Sequence, residues 1–241
     1  VHDNIKKHVG RNLMLRRSVA VAALALALSA GAAAAQTPLK IGIIHSMTGA
    51  FNTVGKATVN GARLYVQQHG DTVAGRRIQL IVKDDGTSPE TAKRLAQELI
   101  VNDKVEIIGV GITPVALTIA PLVTEAKIAT VVMTSGASVT VDRSPYMVRT
   151  SFTLGQSSAV IADWAVQNGA KKIATIVNDW APGLEAEAAF KDRIAKGGLQ
   201  IVESMRVPLA NPDFAPFLQR ARDLGPDTIF AYFPGNQSGI F

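Results

Sequence analysis

Short β-branched runs alternate with helical patterns along the chain, and this alternation constrains the fold more than any other feature. Runs at 39–45, 77–84, 105–110 and 128–133 read as strands, with helices at 54–69, 89–102 and 114–126 between them. In the second helix Ala92, Leu95, Ala96, Leu99 and Ile100 fall at i, i+3, i+4, i+7 and i+8, one apolar face for packing on a sheet. Thr87, Ser88, Pro89 and Glu90 ahead of it fit a capping box with an early proline. After 146–150 the pattern begins again, with helices at 156–167, 181–196 and 213–224 and strands at 172–177, 200–207 and 228–233. Phe214, Phe217, Leu218 and Ala221 mark a buried stripe on the last helix. Such βα alternation requires right-handed crossovers and a mainly parallel sheet, so the fold class is α/β. Two blocks of about a hundred residues predict two lobes, 36–150 and 151–241.

Two segments carry the functional signal: 105–115 (VEIIGVGITPV) and 128–138 (IATVVMTSGAS). Each is a β-branched run that breaks into hydroxyl residues with Gly or Pro, which reads as a buried strand delivering a polar loop to one sheet edge. In open α/β sheets ligands bind beyond the carboxyl ends of strands, where helix N-termini offer unpaired N–H groups. Thr113, Ser135 and Ser138 add hydroxyls to that cradle, which suits holding a small anion such as a carboxylate without reacting with it. His45 ends the first strand at the same edge and reads as a satisfied structural histidine before a cleft residue. Asp84 and Asp85 read as the local hydrogen-bonding pair of a strand-to-helix turn.

The beginning of the chain reads as an export signal. From Met14 a Leu-Arg-Arg-Ser start leads into an Ala/Leu/Val stretch and a run of small residues before Gln36, which predicts a signal peptide over 14–35 and an upstream extension over 1–13. Arg16 and Arg17 carry only a weak hint of the twin-arginine route. The signal predicts a periplasmic destination. It also changes the charge argument: the chain has 25 Lys+Arg against 19 Asp+Glu, but beyond residue 35 the balance is 20 against 18. That gives no electrostatic reason to expect nucleic acid as a partner, and no basic stripe with interleaved aromatics is present. The chain has no cysteine, hence no disulfide framework, thiolate metal site or Cys nucleophile. Beyond residue 35 only His45 and His69 remain, too far apart for ligand spacing, so neither a metal nor a cofactor is expected. The uncharged stretch 107–124 is interrupted by Gly109, Gly111, Pro114 and Pro121 and reads as strand, loop and buried helix rather than a membrane span. A hydrolase built on Ser135 or Ser138 with His45 lacks a G-x-S-x-G elbow and an orienting acid.

The leader, the opening 40–50 (KIGIIHSMTGA), the Asn60-Gly-Ala-Arg helix, 83–89 (KDDGTSP), the Ile107-Ile-Gly strand, the 133–138 loop (MTSGAS) and 178–183 (NDWAPG) together resemble the leucine/isoleucine/valine-binding group of type I periplasmic substrate-binding proteins. The resemblance runs from about residue 38 to the last residue. It implies two Rossmann-like lobes joined by three crossovers, closing on a ligand and delivering it to an inner-membrane ABC permease. It places the carboxylate-holding hydroxyl on Thr113 and a backbone-and-hydroxyl clamp on Gly136 and Ser138. The first-loop residues over the ligand fall on Phe51 and Asn52, the second-lobe aromatic falls on Trp180, and Tyr232 and Phe233 end a strand at the same edge. The implied ligand is an amino acid of branched-chain type or a related small carboxylate, aromatic and other organic acids being the alternative, and a receptor ectodomain shares the same lobes. In amino-acid binders of this group an acidic residue holds the ammonium from a later loop. The chain stops at Phe241 before such a loop, so the second lobe is expected to be C-terminally incomplete.

Overall fold

The computed structural model describes residues 37–209 and 211–241, so the expected extension and signal peptide lie outside the described residues. Alternating apolar runs form two separate sheets. The first holds β1 (Leu39–His45), β2 (Thr72–Val73), β3 (Arg76–Asp84), β4 (Ile107–Val110), β5 (Ala129–Val132) and β6 (Met147–Arg149) in the order β2-β3-β1-β4-β5-β6. All its pairings are parallel except the short β2–β3 hairpin. The second has β7 (Ile173–Asn178) between β8 (Ile201–Val207) and β9 (Thr228–Tyr232), all parallel. The expected α/β class with mainly parallel sheets is therefore the observed one.

Six α-helices connect the strands among the described residues: α1 (Asn52–His69), α2 (Pro89–Glu98), α3 (Thr113–Ala126), α4 (Leu154–Gln167), α5 (Ala181–Lys196) and α6 (Ala215–Leu224). The apolar stripe of α2 packs as expected: Ala92, Leu95, Ala96 and Leu99 are all buried, against Ile44, Ile108, Val110 and the inner face of α3. Residues 107–124 form β4, its loop and most of α3, and no helix among the described residues is long and apolar enough to cross a membrane. A second core forms where Phe190 of α5 stacks on Phe230 of β9, ring centroids 4.2 Å apart.

Several local expectations change. Ser88 caps α2 by accepting from the Thr91 N–H, but its own N–H bonds Asp85 O, so Glu90 does not complete a capping box. The reciprocal box forms instead at α4, between Thr153 and Gln156, and draws that helix back to Leu154. The end of the expected second helix, Leu99–Asp103, unwinds into a π turn. On α6 Leu218 points to solvent while Phe214, just ahead of the helix, and Ala221 are buried.

Each sheet has a switch point where successive connections leave toward opposite edges. These lie between β1 and β4 in the first sheet and between β7 and β9 in the second, the crevices at which ligands of such sheets bind. The two crevices face each other. Phe51 meets Trp180 with ring centroids 5.9 Å apart. Thr53 donates to Asn236 Oδ1 at 2.8 Å, and Asn236 Nδ2 donates to Asn52 Oδ1 at 3.2 Å.

Candidate functional site

The loop after β1 is held by two carboxylates. Asp84 accepts from the N–H groups of Met47, Thr48 and Gly86 and from the Thr48 hydroxyl. Burial works against its charge, yet these donors together hold its carboxyl below the usual range. Asp85, 1 % exposed, accepts from Ser46 Oγ at 2.6 Å and from the Thr87 N–H. Both are structural, as the sequence suggests. They fix the position of His45, which is fully buried: a Cβ on Gly111 would lie 2.7 Å from its ring and one on Gly55 3.1 Å from its Nδ1. Burial pushes the imidazole below its ordinary value, the Asp85 charge pulling partly the other way.

The loop after β5 is held from behind. Arg149 donates to the carbonyls of Ser135, Ala137 and Ser138, and the Ser151 hydroxyl also donates to Ser135 O. Inside the loop the hydroxyls form a relay. Thr140 Oγ1 donates to Ala137 O at 2.8 Å, Ser135 Oγ lies 2.8 Å from Thr140 Oγ1, and Thr113 Oγ1 lies 2.7 Å from Ser135 Oγ. A carbonyl oxygen only accepts, so the three bonds coexist with one direction of donation: Thr113 to Ser135 to Thr140 to Ala137 O.

Between the lobes lies a cavity of about 100 Å³ lined by Phe51, Val54, Ile112, Thr113, Thr134, Gly136, Trp180, Pro182, Tyr232, Pro234 and Gly235. None of these residues is charged. A water needs ~10–15 Å³, so the cavity is several waters in size and admits a small molecule. Thr113 begins α3, whose first N–H groups have no intrahelical partner and stand at the positive end of the helix dipole. The Trp180 indole N–H is buried with no hydrogen-bond partner among the described residues. Burial, then the nearby charge of Glu185, push the Tyr232 phenol up to about 12, so it stays protonated throughout the physiological range.

Of the residues the sequence singles out, Phe51, Thr113, Gly136, Trp180 and Tyr232 line this cavity together. Ser135 sits behind Thr113, fully buried. Asn52 lies at the rim, bonded to Asn236. Ser138 is exposed, and its N–H donates to both carboxylate oxygens of Glu185 at 3.0 and 3.2 Å, a contact from α5 of the other lobe. Sequence reasoning missed Thr134, in the same polar loop, and Gly235. Gly235 has φ +63°, and a Cβ there would lie 2.6 Å from Ala50 O, so a glycine lets the loop after β9 approach the first lobe. The positive φ leaves its mark in the sequence as a Pro-Gly pair following a strand.

A family model described as periplasmic binding protein matches residues 38–239. Leu/Ile/Val-binding protein homolog 6 of Brucella suis is 37% identical over 204 residues, covering 84% of this chain and 52% of that protein. A solute binding protein of an ABC transporter from Rhodopseudomonas palustris BisB5, solved with 3,4-dihydroxybenzoic acid, is 56% identical, with a TM-score of 0.83 over 85% of this chain and 56% of its own. A second R. palustris solute binding protein, solved with 4-hydroxybenzoate, is 41% identical, with a TM-score of 0.81 over 84% of this chain and 56% of its own. The chain thus spans about half the length of the relatives it matches. With the match extending over nearly all the described residues and both lobes contributing to one cleft, the chain belongs to the periplasmic binding protein family.

Proposed function

We propose that this chain forms the ligand-holding part of a periplasmic solute-binding protein that captures a small aromatic carboxylate and presents it to an inner-membrane ABC permease. The observation that carries this reading is the composition of the cleft: three aromatic rings, Phe51, Trp180 and Tyr232, around the start of α3 and the hydroxyl loop after β5. Flat rings suit an aryl group, while the helix N-terminus and neutral donors suit its carboxylate. The two R. palustris relatives were solved with hydroxybenzoates, which supports the same class. The likeness to Leu/Ile/Val-binding protein homologs keeps a branched-chain amino acid as the second reading. Function is capture by lobe closure without chemistry: a ligand touching both lobes favours the closed state by its differential contacts.

The test is a thermal-shift comparison of 3,4-dihydroxybenzoate, 4-hydroxybenzoate and leucine on the purified protein at its full natural length. A true ligand at a hundred times its dissociation constant adds about 2.7 kcal/mol, roughly 5–10 °C for a domain of about 150–250 residues and less for a longer chain. A shift with the benzoates is expected. A shift with leucine alone would replace the aromatic ligand by the amino acid, and no shift with any carboxylate would remove the reading.

Glu185 supplies a further check. Its carboxylate occupies the Ser138 N–H, one of the donors that the family resemblance gives to the ligand. Glu185→Gln is expected to tighten benzoate binding about fivefold, the ~1 kcal/mol typical of an exposed charged contact. Calorimetric titration reads this directly. Weaker binding would instead make Glu185 a residue that the closed lobes need.

A further inference from the structure

Besides the Tyr232 phenol, two aliphatic hydroxyls line the cleft, those of Thr113 and Thr134, and their protons are not equivalent. Every bond of the Thr113 relay is satisfied only if Thr113 donates inward to Ser135, which leaves Thr113 Oγ1 with lone pairs for the cleft and no proton. The situation at Thr134 is reversed. His45 Nδ1 accepts the Ser46 N–H at 2.9 Å, so Nδ1 carries no proton and the neutral ring carries its proton on Nε2. Nε2 lies 3.1 Å from Thr134 Oγ1 and donates to it. With an acceptor lone pair of Thr134 occupied from behind, the hydroxyl proton is left to point elsewhere, and this residue lines the cleft.

We propose that Thr134 is the hydroxyl that donates to the bound carboxylate, that His45 is the positioning residue that sets its orientation, and that Thr113 presents an acceptor to the ligand rather than a donor. This deepens the carboxylate-binding reading and rests on it. The geometry makes the cleft polar in a directed sense. A ligand is read by donors at Thr134 and the start of α3, and by an acceptor at Thr113 that suits a hydroxyl or other N–H or O–H group. The cradle is built for this arrangement: Gly55 and Gly111 leave room for the His45 ring and no more, and Ser46 and the Asp85 carboxylate behind it hold the backbone N–H that fixes the tautomer.

The test uses 4-hydroxybenzoate as probe, titrated calorimetrically into the purified protein and its variants. Thr134→Val should weaken binding about 10- to 100-fold, and Thr134→Ser, which keeps the hydroxyl, should recover most of it. His45→Asn keeps an acceptor near the Ser46 N–H but is too short to reach Thr134. It should weaken binding severalfold in the wild-type background and add nothing to Thr134→Val, whereas a merely structural histidine would cost the same in both backgrounds. Nitrogen chemical shifts of the ligand-free protein give an independent reading: His45 should show a protonated Nε2 and an unprotonated Nδ1. The opposite tautomer, or a Thr134→Val variant that binds as tightly as wild type, overturns the assignment alone. A wild-type protein that binds no carboxylate overturns the function and the assignment together.

Discussion

Glu187→Ala is expected to cost about 3 kcal/mol of folding stability. The Glu187 side chain is 3 % exposed, accepts from the Thr175 hydroxyl and both terminal nitrogens of Arg206, and lies 3.4 Å from Lys191 Nζ. Breaking a buried ion pair costs ~3–5 kcal/mol because the remaining charge loses its partner. Arg206 is 32 % exposed, so water takes up part of that loss and the lower end applies. The pH dependence has a definite sign. Burial pushes the Glu187 carboxyl up, but the hydrogen bonds from Arg206 and Thr175 and the charges of Lys191 and Arg206 together hold it below the usual range. A depressed carboxylate contributes stability that is present above its unfolded value, ~4.3, and is lost as pH falls through the folded one. Urea denaturation at pH 7 and near pH 3.5 should therefore show a smaller acid loss in Glu187→Gln than in wild type. Asp84 and Asp227, held below the usual range by backbone N–H groups, keep part of that loss in the variant. An undiminished acid loss would show that the carboxylate does not act this way.

Gly55→Ala is the second large effect, and it falls on the site. Gly55 lies in the first turns of α1, where a Cβ would stand 2.0 Å from Ser46 O. Backbone cannot rotate away as a side chain can, so the helix must separate from the end of β1. Overpacking costs ~1–3 kcal/mol and more when the collision is this close; against it stands ~1 kcal/mol of helix propensity gained by Ala. A net loss of about 2 kcal/mol is expected, together with loss of benzoate binding at concentrations that saturate wild type, since Ser46 and His45 shift with the helix. Chemical denaturation and titration check the two halves. A stable variant with intact affinity would mean that the loop after β1 can move without consequence.

The course of the main chain was legible because its signals are local. Period-2 and period-3.6 patterns separate strands from helices wherever one face is buried, and α5, from Ala181 to Lys196, begins and ends where the pattern says. Misplaced ends have local competitors of a subtler kind: the Thr153–Gln156 box draws α4 back to Leu154, and the π turn at Leu99–Asp103 ends a helix whose apolar stripe continues through it. Leu218 reads as core by spacing but faces solvent, since spacing defines a stripe and not how much of it a neighbour covers. The strand-end residues of the cleft were legible for topological reasons, as the switch points of two parallel sheets place Thr113, Gly136, Trp180 and Tyr232 at one edge. What stays hidden is contact between distant residues. His45 meets Thr134 across 89 positions, and Glu185 meets the Ser138 N–H across 47, and no periodicity records either.

Apart from the exposed Glu185–Ser138 contact, the rim of the cleft closes through Thr53, Asn52 and Asn236, bonds between uncharged groups that exchange with water almost one for one. Such a seam holds the lobes in register without latching them. If the chain captures a solute as proposed, the work of staying shut would fall to that solute, and occupancy, rather than the seam, would be the signal a membrane partner reads.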